Sequence, residues 1–142
     1  MTAVSYPTSV HAPIVDKLLT RTFAFDAVFS ASWALLFLLA HQPIADFIGL
    51  SNPTSLLFLG VFFIFWAGVQ AFIARNPTRN LHFTQAILAV DFLWVVGSYG
   101  LLLSQALQLN DVGNVALLIQ ADMVLVIAIA KIVGWRRSRL NM

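Results

Sequence analysis

Residues 53–74 have the sequence PTSLLFLGVFFIFWAGVQAFIA, in which no side chain carries a charge. A helix needs about 20 predominantly apolar residues to cross the hydrocarbon core of a bilayer. Lipid offers no hydrogen bonds to the backbone, so only a helix or a closed barrel satisfies it there. Apolarity sustained over this length is not the alternating pattern of a barrel strand. The stretch therefore predicts a membrane-spanning α-helix.

Three further stretches have the same character and predict helices over residues 22–40, 81–107 and 112–135. Of the 142 residues, 60% are hydrophobic and 10% are charged, whereas a soluble domain carries about 25% charged residues. The expected fold is therefore all-α, a polytopic and antiparallel four-helix transmembrane bundle. The expected parts are a polar cytoplasmic tail (residues 1–16), the transmembrane domain (17–135) and a basic cytoplasmic tail (136–142).

The positive charges lie on one side of this predicted bundle. No Lys or Arg occurs in residues 41–52 or 108–111, the loops after the first and third spans. By the positive-inside rule, both termini are expected in the cytoplasm, as in a multi-pass protein of a bacterial inner membrane. Setting this topology explains the net charge of +2 better than nucleic-acid binding does. The eight basic residues are Lys17, Arg21, Arg75, Arg79, Lys131, Arg136, Arg137 and Arg139.

Asparagine and proline mark the predicted helix ends. Asn52 precedes Pro53 at the start of the second span, which is the pattern of an N-cap followed by proline at the first helical position. Pro77 ends that span, because the residue before a proline is pushed out of helical geometry. Asn110 caps the fourth span. Residues 43–50 are expected to form one or two helical turns on the outer surface.

The candidate functional residues are polar groups inside the predicted spans. A charged side chain at the bilayer centre costs at least about 2.5–3.5 kcal/mol, so these residues are expected to face the bundle interior and to have partners. The candidates are Asp26, Gln70, Gln85, Asp91, Gln120, Asp122 and Lys131.

Depth along the helices predicts how these residues pair. At about 1.5 Å of rise per residue, Asp26 and Lys131 lie in a layer near the cytoplasmic face, where they are expected to pair. Asp91 and Asp122 lie in a central layer. We expect these two carboxylates to approach each other or to bond to Ser30, Ser32 or Gln120.

Three interpretations of the polar residues stay open. Two carboxylates close together in a low dielectric cannot both ionise, so Asp91 and Asp122 are the candidate residues of a small proton-coupled transporter. The same groups can instead fix helix register through buried hydrogen bonds, or face a partner subunit. A transport path normally includes broken helices, whereas no proline lies inside the predicted spans, so the last two interpretations are preferred. The glycines fit close helix packing: Gly60, Gly68, Gly97 and Gly100.

Binding of a pigment, haem or quinone is a further alternative. The chain has no cysteine, which excludes thiolate metal sites, and no metal site is expected. His41 and His82 lie at opposite ends of their spans, nearly a membrane thickness of about 30 Å apart. They therefore cannot clamp one haem, and each is a candidate single ligand only. Trp33, Trp66 and Trp94 lie deep in their spans, where such rings stack on a cofactor or fill a core.

Three short motifs accompany Asp26 in the first span: FIGL at residues 47–50, LWVVGS at 93–98 and IVGWRR at 132–137. In these motifs the chain resembles a group of small, uncharacterised bacterial integral membrane proteins with four helices. The resemblance covers residues 17–139. It implies the four-helix membrane fold and supplies no activity or cofactor.

The expected function is non-enzymatic. The chain has no Gly-rich phosphate loop, no Ser-His-Asp series and no His-Glu zinc motif. Apolar outer faces favour an accessory or structural subunit of a larger membrane complex, such as an energy-converting one, or a self-associating bundle. The expected partners are the lipid bilayer and other membrane subunits or a second copy, and not nucleic acid.

Overall fold

A computed structural model describes residues 17–75, 77 and 81–140 of the chain. These residues form four helices and no strand, so the all-α fold class is confirmed. Each helix is long and apolar enough to cross a membrane. The helices are α1 (Lys17–Ile48), α2 (Thr54–Arg75), α3 (Leu81–Ser104) and α4 (Asp111–Leu140). The predicted tail of residues 1–16 lies outside the described residues.

The central element of the bundle is α1, which packs against both α2 and α4, while α3 packs against α4. Helices α1 and α4 run antiparallel, because Leu19 near the start of α1 lies beside Gly134 near the end of α4. At the other end, Ile48 of α1 lies beside Gly113 of α4. The basic residues that begin α1 and end α4 therefore share one end of the bundle, which we call the basic end.

Two asparagines begin helices as predicted. The Asn52 side-chain oxygen accepts a hydrogen bond from the Thr54 N–H at 3.1 Å, and that of Asn110 accepts one from the Gly113 N–H at 2.8 Å. Both satisfy backbone donors that the first helical turn leaves free. The Asn110 amide also donates to the Phe47 carbonyl oxygen at 2.9 Å. Asn110 therefore both caps α4 and fastens it to the end of α1.

Helix α1 is longer than predicted and is interrupted once. It continues to Ile48 through Ala40, whose φ of −131° and ψ of 27° are not helical. Pro43 explains the break, since proline has no N–H and its ring collides with the carbonyl four residues earlier. The turns predicted over residues 43–50 are thus the end of α1. The expectation that no helix contains a proline is wrong for α1, which contains Pro43.

The ends of α3 and α4 also differ from the prediction. Helix α3 stops at Ser104, short of residue 107, because Gln105 has a φ of 50°, a left-handed conformation that ends a right-handed helix. Helix α4 continues to Leu140. The first residues of the predicted basic tail are therefore helical, and the buried Ser138 hydroxyl donates to the Gly134 carbonyl oxygen at 3.0 Å.

Close helix packing occurs at three glycines, only one of which was predicted. A Cβ on Gly60 would lie 2.9 Å from the Leu38 side chain. A Cβ on Gly134 would lie 3.0 Å from the Leu19 backbone, and one on Gly113 would overlap the Ile48 carbonyl oxygen. These two glycines let α4 approach α1 at both ends. The expectation is wrong for the other three predicted glycines, where a Cβ would meet nothing within 4 Å: Gly68, Gly97 and Gly100.

Candidate functional site

Three ionisable side chains meet in the interior of the bundle. Lys131 of α4 is 0% exposed, and its ammonium group donates to one carboxylate oxygen of Asp91 on α3 at 2.6 Å. The same ammonium group forms an ion pair with Asp26 on α1. Both carboxylates are buried. We call Asp26, Asp91 and Lys131 the Asp–Lys–Asp cluster; it joins three helices through one cation.

Asp26 has further partners within the bundle. The Gln70 side-chain amide of α2 donates to the carboxylate oxygen that also contacts Lys131. The Ser30 hydroxyl, one turn along α1, donates to the other oxygen at 3.4 Å. Asp91 receives a hydrogen bond from Lys131 only, among the described side chains. The two carboxylates are therefore unequally supported, and α2 joins the cluster through Gln70.

An apolar layer lies on the basic side of the Asp–Lys–Asp cluster. The Phe23 ring centroid is 5.0 Å from the Lys131 ammonium nitrogen, a distance at which the face of an aromatic ring attracts a cation. Phe23 packs in one buried cluster with Leu19, Ile73 and Ile87. Because Leu19, Ile73 and Ile87 all lie nearer the basic end, this layer separates the charges from that end of the bundle.

A small cavity lies on the other side of the cluster. Its volume is about 30 Å³, more than the roughly 10–15 Å³ that one water molecule needs. Asp26, Ser30 and Asp91 form part of its wall, and the rest includes the half-buried rings of Trp33 and Trp94. The chemistry of this wall suits one water molecule hydrogen-bonded to a carboxylate.

An aromatic layer follows the cavity. The ring centroids of Phe63 and Trp94 are 5.3 Å apart, and those of Phe62 and Trp94 are 6.1 Å apart. The Trp94 indole N–H donates to the Gln120 side-chain oxygen at 3.3 Å. Beyond these rings lies a largely apolar pocket of about 140 Å³ between α1, α2 and α4. The cluster thus lies between an apolar layer and an aromatic layer.

The predicted pairing is correct for Asp26 and wrong for Asp91. Asp26 meets Lys131 as expected, but Asp91 joins that pair and does not approach Asp122. The Lys131 ammonium group contacts Asp26 from the predicted cytoplasmic layer and Asp91 from the predicted central layer, so this one side chain joins the two layers. Ser32 does not serve the central carboxylates either, since its hydroxyl donates to the Val28 carbonyl oxygen at 2.8 Å.

Asp122 lies on the outside of the bundle. It is exposed and accepts a hydrogen bond from the hydroxyl of Tyr99 on α3. Lys131 follows Asp122 by nine residues, and at about 3.6 residues per turn these positions lie on opposite sides of one helix. With Lys131 facing inward, Asp122 must face outward. The spacing of nine residues can be read from the sequence. Once it is known which side of α4 one of the two residues faces, the spacing predicts that the other faces the opposite side.

Exposed apolar side chains surround the Tyr99–Asp122 pair. On each helix, the residues three before and four after the pair are more than half exposed, and this spacing puts them on the same face as the pair. We call this surface the Tyr99–Asp122 face. It comprises Val96, Tyr99, Leu103, Ile119, Asp122 and Val126.

The remaining candidates are dispersed. Gln85 is exposed on α3, and Gln120 serves Trp94 instead of a carboxylate. His41 is half-buried, and its Nδ1 atom has no hydrogen-bond partner among the described residues. The side chain of His82 lies outside the described part of the chain. Within that part, no three His, Asp or Glu side chains are grouped as a metal site.

Comparisons of the chain with protein-family models, with curated proteins and with solved structures found no match.

Proposed function

We propose that this chain is a non-enzymatic integral membrane protein that serves as an accessory or structural subunit of a larger membrane assembly. Its four helices cross a bacterial inner membrane, and both termini lie in the cytoplasm. The observation that carries the proposal is Asp122, a carboxylate exposed on an otherwise apolar face. A larger membrane assembly, such as an energy-converting complex, provides the cover that such a surface needs.

The distribution of side chains supports the membrane location. Most large side chains on the helix surfaces are apolar, with Phe58, Phe65 and Leu39 among those more than two thirds exposed. Water-facing helices carry charged residues on their outer face, whereas lipid accepts apolar ones. The basic end holds the described arginines, which supports a cytoplasmic location for this end by the positive-inside rule.

The position of Asp122 supports association with a partner. Asp122 lies about 16 Å along α4 from its first residue, near the middle of a hydrocarbon core about 30 Å thick. A carboxylate at this depth costs at least about 2.5 kcal/mol in contact with lipid. The Tyr99 hydroxyl offsets part of this cost by one hydrogen bond. A protein surface that covers the pair removes the remaining exposure.

The Asp–Lys–Asp cluster supports a structural role for the interior. Its charged groups are buried and in contact, and one ammonium group ties α1, α3 and α4 together. Apolar side chains lie on one side of it and aromatic rings on the other. Buried polar groups of this kind fix the register of helices in a membrane. The cluster is thus suited to hold the bundle in one arrangement.

The proposal is tested by purification from the native membrane in a mild detergent, followed by native mass spectrometry. The wild-type protein is expected to be detected in a complex with its partner, and Asp122→Asn is expected to be detected without it. Asp46→Asn is the matched control, since Asp46 is exposed on α1 at the end opposite the basic end. A monodisperse wild-type monomer without any co-purifying protein contradicts the proposal.

A proton-coupled transporter is the second candidate. The observation that favours it is the unequal charge count of the cluster, with two carboxylates to one ammonium group beside a cavity large enough for a water molecule. Transport through the Asp–Lys–Asp cluster is tested in reconstituted vesicles that contain a pH-sensitive dye. Loss of proton flux in Asp91→Asn supports transport, and absence of flux in the wild type removes it.

A cofactor is tested on the same preparation. An absorption spectrum of the purified protein that shows haem or pigment bands supports binding, and replacement of His41 by Ala is expected to abolish those bands if His41 is the ligand.

A further inference from the structure

The Tyr99–Asp122 face has a chemical requirement that apolar contact alone does not meet. Asp122 stands in the centre of a surface whose other members, apart from the half-buried Tyr99, are apolar. We infer that this face binds a transmembrane helix of a different protein, and that the helix presents a Lys or Arg side chain to Asp122. This inference rests on the proposed role as an accessory subunit and specifies the chemistry of its partner.

The Asp122 carboxylate has unused capacity to accept hydrogen bonds. An ionised carboxylate has two oxygens with about four lone-pair sites, and among the described residues a single donor, the neutral hydroxyl of Tyr99, contacts one of the oxygens. A neutral donor leaves the charge of the ionised form uncompensated. Charged groups in a membrane interior pair with one another or with other polar protein groups, so a cation is the partner that this site lacks.

The described residues of a second copy of the chain do not supply that cation. Among the described residues, the basic side chains other than Lys131 lie near the basic end, from Lys17 and Arg21 on α1 to Arg139 on α4. Lys131 itself is 0% exposed and already bonded to two carboxylates. It also lies on the opposite side of α4 from Asp122. Two copies that met through this face would instead bring two carboxylates together, which is repulsive.

The shape of the face suits a helix. Val96, Tyr99 and Leu103 form a ridge on α3, and Ile119, Asp122 and Val126 form a parallel one on α4. A third helix packs into the groove between two such ridges. The required Lys or Arg then lies at the level of Asp122, near the centre of the partner's apolar segment, with apolar side chains one turn to either side.

The test uses the full chain reconstituted in lipid vesicles with synthetic transmembrane peptides. One peptide is a polyleucine helix with a single central Lys, and the other has Leu at that position. Binding is measured by fluorescence energy transfer between the labelled chain and the labelled peptide. The Lys peptide is expected to bind the wild type at least about thirtyfold more tightly than it binds Asp122→Asn, the loss expected when one member of a buried charge pair is truncated.

Two controls separate charge pairing from changes in folding. Asp46→Asn is expected to bind the Lys peptide like the wild type, and far-UV circular dichroism checks that each variant keeps its helices. Asp122→Lys is expected not to bind the Lys peptide and to bind instead a peptide with a central Asp. Equal binding of the Lys and Leu peptides, or Asp122-dependent energy transfer between two copies of the chain, overturns the inference.

The results also distinguish this inference from the proposed function. If the native complex depends on Asp122 but the Lys peptide does not bind, the inference fails and the accessory role stands. If the wild type purifies alone from the native membrane, the accessory role fails whatever the peptides do.

Discussion

Lys131→Met removes the ammonium group from the Asp–Lys–Asp cluster, where two buried carboxylates remain. Methionine is similar in length and flexibility to the lysine stem, so the substitution removes charge and hydrogen bonds with little change in volume. Breaking a buried ion pair by removing one partner costs about 3–5 kcal/mol, because a charge stays behind without compensation. We expect a loss of free energy of unfolding in this range.

The structure predicts which carboxylate causes most of the loss. Without Lys131, Asp26 keeps hydrogen bonds from Gln70 and Ser30, whereas Asp91 keeps none among the described side chains. Lys131→Met/Asp91→Asn should therefore be more stable than Lys131→Met/Asp26→Asn. The expected difference is about 1.5–3 kcal/mol, the value of a hydrogen bond to a charged group.

The assay is unfolding of the purified protein by SDS in mixed micelles, followed by far-UV circular dichroism. Transition midpoints and slopes give the free energy of unfolding for each variant. The triple variant Lys131→Met/Asp26→Asn/Asp91→Asn is the reference in which no buried charge remains, and it should regain most of the lost stability. A loss below about 1 kcal/mol in Lys131→Met, close to the roughly 0.6 kcal/mol average of a polar contact between membrane helices, would refute this reasoning. So would a reversed order of the two double variants.

Three further predictions concern packing, capping and topology. Gly134→Ala should lower the free energy of unfolding by about 1–3 kcal/mol, because its Cβ would lie 3.0 Å from the α1 backbone. Gly68→Ala should not lower it, because a Cβ at that position meets nothing within 4 Å. Equal effects of the two substitutions in the same SDS assay contradict the packing of α4 against α1. Asn110→Ala should cost about 0.5–2 kcal/mol, and Asn110→Asp, which keeps the capping oxygen, should cost less. The chain has no cysteine, so single-cysteine variants label cleanly: Ser51→Cys should react with an impermeant maleimide in intact spheroplasts, and Arg137→Cys only after the membrane is opened. Labelling in the reverse order contradicts the proposed orientation.

Local sequence predicted the helices well. The second span was expected over residues 53–74, and α2 runs Thr54–Arg75. Asn52 and Asn110 form the predicted caps. These features follow from residues within one turn of each other, so no knowledge of the neighbouring helices is needed. The kink at Pro43 has the same local origin, although the prediction ended the first span before it.

The site was only partly predictable. Depth along a helix is proportional to residue number, which is why the pairing of Asp26 with Lys131 could be foreseen. The direction in which a side chain points was not available, because helices that are apolar on every face carry no periodic signal of which face is buried. The sequence therefore predicts Asp122, Ser30, Ser32 or Gln120 as the partner of Asp91, whereas in the structure Asp91 meets Lys131.

The sequence by itself determined that the chain is helical, where α2, α3 and α4 begin to within one residue, and that its basic residues lie on one side. Those properties depend on composition and on interactions between near neighbours in the chain. Only the tertiary structure decided that one lysine would serve two aspartates and that Asp122 would face outward with Tyr99. The reason is that these outcomes depend on how each helix is rotated about its axis. That rotation is fixed by contacts between distant residues, such as Gly134 with Leu19.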